Sequence, residues 1–263
     1  MMGRPMFFEL FEDTLDALFR QPPPVQLVVF VINGLIDFGA GVLLIRIVRR
    51  WGKPEDWTPV STFQSTVTVV FALFLAFHAA SIWANKSHAE HTHIESGTAI
   101  KRLDDLLGPQ QLNLPAPREA LHRYVRHVLK DEWRKTTNYS AAPEAEQAFL
   151  DLHVRTMAAT KDLQPAVAGQ LFALLNEAAR ARSERLWVGA NHTEAVSWLA
   201  VMFLGLLAHL AVASVHVDKP KAGRLALGLF ATATTIALWS LGIVDDPFRF
   251  LQNLDPGTWL SSS

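Results

Sequence analysis

The chain has 263 residues, half of them apolar, with 24 basic and 25 acidic side chains and a formal net charge of −1. A balanced charge offers no global field for nucleic acid, and the sequence holds no glycine-rich phosphate loop; the lack of cysteine removes disulfides, thiolate catalysis and Cys-ligated zinc. Apolarity at this level, beside 19% charged residues, needs lipid to absorb it, and the chain reads as an all-α polytopic membrane protein.

Residues 1–24 predict an amphipathic helix rather than a secretory leader, because acidic residues interrupt its apolar run. Phe7, Phe8, Phe11, Leu15, Leu18 and Phe19 fall on one side, and Glu9, Glu12, Asp13 and Asp16 on the other. Pro22 to Pro24 end it. Four apolar stretches follow, at 25–48, 63–84, 195–217 and 223–244. Each reaches the length of about 20 residues that crosses a bilayer, and lipid requires that such spans be helices. The expected organisation is a first pair of spans over 25–84, a helical extramembrane domain over 85–194 inserted between the second and third spans, a second pair over 195–244, and a tail from 245 to 263.

The connections within the two pairs are short and basic: Arg49, Arg50 and Lys53 in one, Lys219, Lys221 and Arg224 in the other. Positive-inside counting places both in the cytoplasm of a cell inner membrane, with the helical domain and the termini outside. From Phe63 to Leu107 there is no proline and only Gly97 among the glycines, so the second span is expected to continue as a helix past the bilayer. The segment from Pro165 to Val217 reads the same way. Two shorter helices lie between them, one with Leu121, Tyr124, Val125, Val128, Leu129 and Trp133 as its apolar stripe, the other with Phe149, Leu150, Leu152, Val154 and Met157. Together these pieces make a bundle or stalk.

Polar groups within spans are the first places to look for chemistry. Asp37 sits mid-span among Asn33, Gly34, Gly39 and Gly41, where a pore or proton site and a carboxyl bonded to a neighbouring helix both fit. His209 lies in the third span as a core residue or a ligand. On the second span Phe71, Phe74, His78, Ile82 and Asn85 share one face; around an axis it would line a pore with an aromatic constriction and a wetter vestibule, and in a monomer it is ordinary packing surface. The run NKSHAEHTHIES sets His88, His91 and Glu95 on one face, with Glu90 and His93 beside it, and His192 and Glu194 return at the same level. That collar suits a divalent metal, a pH sensor or a solvated polar ring. Arg180, Arg182 and Arg185 suit a solvated face or an anion site. Apart from such a metal, no cofactor is implied.

The segments FALFLAFHAASIWAN, KRLDDLL, LHRYVRHVLKDEW, ARSERL and VDDPF occur in this order from the second span to Phe248. In that order they resemble the bacterial bestrophin-like membrane family, which is catalogued largely as a domain of unknown function. The chain departs from that pattern after Phe248, where Arg249 and Phe250 stand in place of an often expected glycine. The resemblance implies a four-span helical fold. Through a more distant likeness to bestrophins, it also implies a homo-oligomeric anion channel lined by the face from Phe71 to Phe77. It further implies a cytosolic extramembrane domain, opposite to the charge count.

The leading expectation is therefore a non-enzymatic, homo-oligomeric channel in the lipid bilayer. A non-conducting sensor or assembly protein, whose stalk contacts a protein partner, is the alternative from another class. A metal-dependent membrane enzyme or metal transporter using the histidine collar is a third.

Overall fold

The computed structural model describes residues 6–52, 59, 61–133, 138–190, 194–248 and 259–260. Among them the ordered elements are helices: α1 (Met6–Phe19), α2 (Pro23–Trp51), α3 (Ser61–Leu107), α4 (Pro115–His127, continued by a π-helical turn, Val128–Trp133), α5 (Pro143–Ala159), α6 (Pro165–Ala190), α7 (Ala195–Ser214) and α8 (Pro220–Val244). Five begin on proline, whose fixed φ and missing N–H suit a first turn and no later one. Helices α2, α3, α7 and α8 carry the stretches long and apolar enough to cross a membrane.

The chain divides into two compact units, one of Met1–Trp83 with Thr193–Asp246, the other of Ala84–His192 with Pro247–Ser263. In the first, α2 packs on both α7 and α8. Gly34 permits the α2–α8 approach, since a Cβ there would collide with the Thr235 hydroxyl. Trp198 is fully buried at the centre, with the rings of Phe19, His78 and Phe30 at 4.9, 4.5 and 6.0 Å. Phe19 brings α1 to this cluster, and Gln26 holds the turn by donating to the carbonyls of Phe19 and Gln21 at 2.9 and 3.1 Å. The expected apolar side of α1 is thus buried at Leu15 and Phe19; the side chains of Phe7, Phe8 and Glu9 lie outside the described residues.

In the second unit, Leu103 and Leu107 of α3 meet Leu121 and Tyr124 of α4, Leu152 of α5, and Leu171 and Leu175 of α6. Each such leucine contributes about 1.5–3 kcal/mol of transfer free energy. The α4 stripe is buried as its periodicity predicts. The α5 stripe is not: Phe149 and Leu152 face inward together with Ala145, Ala148 and Thr156, while Leu150, Val154 and Met157 are exposed. Alanines flanking the large residues set the true inward face, and apolar size alone had pointed about 100° away from it.

Candidate functional site

The polar groups expected within the spans are buried, and each has found a neighbour. His78 on α3 meets the Ser197 hydroxyl through Nδ1 at 2.8 Å and sets its ring edge against Trp198. His209 donates from Nδ1 to the carbonyl of Gly205 at 2.8 Å and packs on Phe230. Asp37 on α2 is 3.8 Å from the same nitrogen, so the two expected intramembrane polar residues face each other.

The face of α3 expected to line a path is the one that docks inside the subunit. Phe71, His78 and Ile82 are 4%, 2% and 1% exposed, and Phe74 and Asn85 are half-buried. Phe71 seats its ring edge on Phe230 and packs over Gly205. Within the subunit the aromatic stripe serves as packing surface against α7 and α8, because large flat side chains gain most from burial within the fold. The opposite side of α3 is exposed instead. It runs from Thr62 and Thr66 through Val69, Leu73 and Phe77 to Ala80, Ala84 and Ser87.

The histidine collar divides into separate pairs. His88 Nε2 meets Glu184 at 3.2 Å and His91 Nε2 meets Glu95 at 3.3 Å, all partly exposed. Among the described residues no three histidine or carboxylate side chains are grouped to hold a metal; His192 lies outside those residues. His93 is different. It is 4% exposed, with Trp133 at 4.9 Å and Trp259 at 5.4 Å between ring centroids. Burial, and then the Arg185 charge, lower its pKa to about 4, so it is neutral at physiological pH.

One buried polar network was only partly legible in the sequence. Glu132 is fully buried and accepts from Arg182 at 2.8 Å, from Arg185 at 2.7 Å and from the backbone N–H of Ala142 at 3.3 Å. Asn138, at φ 62, bonds Arg185 and donates its N–H to the Glu132 carbonyl. Gly189 leaves room for that turn, since a Cβ there would strike the Asn138 carbonyl. Arg182 and Arg185 are therefore internal, where a solvated face had been the simpler reading; Arg180 alone of the three is exposed. The signal was present in α6: Ala178, Ala181, Arg185 and Val188 keep one helical stripe. The π-turn supplies the other half, because its wider loop brings Asp131, Glu132 and Trp133 inward in succession. Trp133 then takes the ring of Phe248 at 5.5 Å, joining two of the segments that carry the resemblance.

A family model for the bestrophin-like domain matches residues 39–249. The chain belongs to the bestrophin-like family. Its fold is also that of crystal structures of a bacterial bestrophin homolog from Klebsiella pneumoniae. A form phased on zinc gives 14% identity and a TM-score of 0.65 over 87% of this chain and 95% of that one. Two point-substituted forms give 15% identity, with TM-scores of 0.65 and 0.67 over 88% and 89% of this chain and 98% and 94% of theirs. Identity at that level speaks for the architecture. The bestrophin-like chain is thus an integral membrane protein of helical fold.

Proposed function

We propose that this bestrophin-like chain assembles with copies of itself around an axis into an ion channel, with no enzymatic activity, and that the exposed side of α3 faces the path. The observation that carries the reading is the exposure of α3 itself: only 17% of its apolar window is buried within the subunit, against 28% for α2, 33% for α8 and 44% for the third candidate span. The exposed stripe grades from hydroxyls at Thr62 and Thr66 through bulky Val69, Leu73 and Phe77 to small Ala80 and Ala84. A hydroxyl-lined entrance leading to an apolar narrowing that widens again at small side chains suits a path that gates by dewetting. Cation paths commonly carry rings of carboxylates, and none occurs between Ser61 and Ala89, where Lys86 is the one charged residue apart from histidine; this favours anions.

A ring also gives the second unit a role as a helical domain outside the bilayer, inserted between the second and third spans. The basic α2–α3 and α7–α8 connections are proposed to lie on the cytoplasmic side of the inner membrane. The exposed stripe of Leu150, Val154 and Met157 on α5 favours a second reading, in which the domain docks a protein partner and the spans anchor it.

The deciding experiment combines particle mass in detergent with planar-bilayer recordings under a chloride gradient. A multisubunit particle whose reversal potential follows chloride is expected. A monomer, or an oligomer silent in both wild type and Phe77→Ala, would overturn the channel reading in favour of the docking protein.

A further inference from the structure

The sequence presents two basic loops as unrelated topology signals, and the structure joins their flanking residues around one cavity. Arg46, Arg49 and Arg50, near the end of α2, and Arg224, in the first turns of α8, line a cavity of about 340 Å³ floored by Val42 and Ile45. The four guanidinium-bearing side chains are exposed, and none makes an ion pair or hydrogen bond with another described residue. Arg49 and Arg50 complement the negative end of α2, which accounts for two of the charges. It does not account for Arg46, about one turn further in, nor for Arg224, which stands at the positive end of α8 and gains nothing from that helix's own dipole.

Four positive charges around a concavity repel one another and attract an anion. The guanidinium fork pairs with two oxygens of a phosphate at once, so arginine suits this ligand better than a point-charged lysine. The location selects the carrier: both helices cross the membrane, and the cavity grades from arginine heads to Val42 and Ile45, the order of a phospholipid headgroup and the start of its acyl chains. We propose that this cavity binds the phosphate of an anionic phospholipid, holding the α2–α8 end against the headgroup layer. Basic pockets between membrane helices take such headgroups.

The test uses the full chain in detergent, titrated with phosphatidylglycerol or phosphatidylcholine and read by native mass spectrometry. Wild type is expected to retain phosphatidylglycerol in preference to phosphatidylcholine. With about 1 kcal/mol contributed per basic residue, Arg46→Gln together with Arg224→Gln should weaken retention about thirtyfold. The double lysine substitution at the same positions should keep most of it, and Lys221→Gln, outside the cavity, should stay within about fivefold of wild type. Equal retention of the two lipids, or an unchanged double glutamine variant, would overturn the proposal. Displacement of phosphatidylglycerol by millimolar inorganic phosphate would reassign the cavity to a soluble oxyanion and overturn the lipid assignment. All substituted side chains are exposed, so a folding failure in the glutamine variant alone would also count against it.

Discussion

Asp37 Oδ2 lies 3.8 Å from His209 Nδ1, the nitrogen that already donates to the Gly205 carbonyl at 2.8 Å. At 3.8 Å the contact is one of proximity rather than a second hydrogen bond. Both side chains are buried, so bulk water does not screen one from the other. His209→Leu removes that contact and the link to Gly205, and should cost about 1–3 kcal/mol. Asp37→Asn combined with His209→Leu should cost less than the sum of the singles, because the residues share one environment. Thermal unfolding of the four proteins in detergent measures the coupling; strict additivity would mean that the two do not interact.

The Glu132 network offers a larger effect. Its carboxylate receives both Arg182 and Arg185, and Arg185 is 1% exposed. Glu132→Gln leaves a buried guanidinium short of its countercharge and should destabilise the second unit by about 3–5 kcal/mol. Trp133→Ala, which removes a ring packed on His93 and Phe248, should cost about 3–5 kcal/mol by cavity formation. Limited proteolysis between Pro143 and Ala190 reads both, with wild-type resistance as the contrary outcome.

His93 predicts an acid sensitivity. Its folded pKa is lowered from 6.5 to about 4, so the unfolded chain binds a proton that the folded one refuses. Stability is therefore complete above pH 6.5 and falls as pH drops toward 4, by about 3 kcal/mol at most. Arg118 and His122 counter the burial of Asp104 and hold its pKa below 3.8, so its loss of stability comes at lower pH. Denaturant midpoints between pH 7 and 4 should fall for wild type and change less for His93→Phe.

In the proposed channel the two faces of α3 separate packing from conduction. Phe77→Ala, on the exposed side, should raise conductance with little loss of stability, as a smaller side chain lets water into a constriction. Phe71→Ala, on the buried side, should cost about 3–5 kcal/mol and leave the open conductance of folded protein unchanged. The reverse pattern would return the lining to the aromatic face.

Orientation is open to direct labelling, since the chain lacks cysteine and Ser140 is exposed. Ser140→Cys should react with an impermeant reagent in intact cells if the basic loops face the cytoplasm. Reaction only after lysis would place the helical domain in the cytosol, as the likeness to bestrophins implies.

Membrane character and helix positions were legible in the sequence by themselves, because lipid imposes a length and an apolarity on every span and proline marks helix starts. The order of segments from Phe71 to Phe248 also pointed to the family. Which side of α3 is buried was not legible: aromatic spacing identifies a face without naming its neighbour, and Phe230, Gly205 and Trp198 lie more than a hundred residues away in the chain. Nor were the partners of Glu132 and Asp37 legible, since pairing a buried charge depends on which helices meet and at what height. The arginines of the two basic loops became one cavity for the same reason. Periodicity fixes how a helix presents its residues; only packing decides what they face.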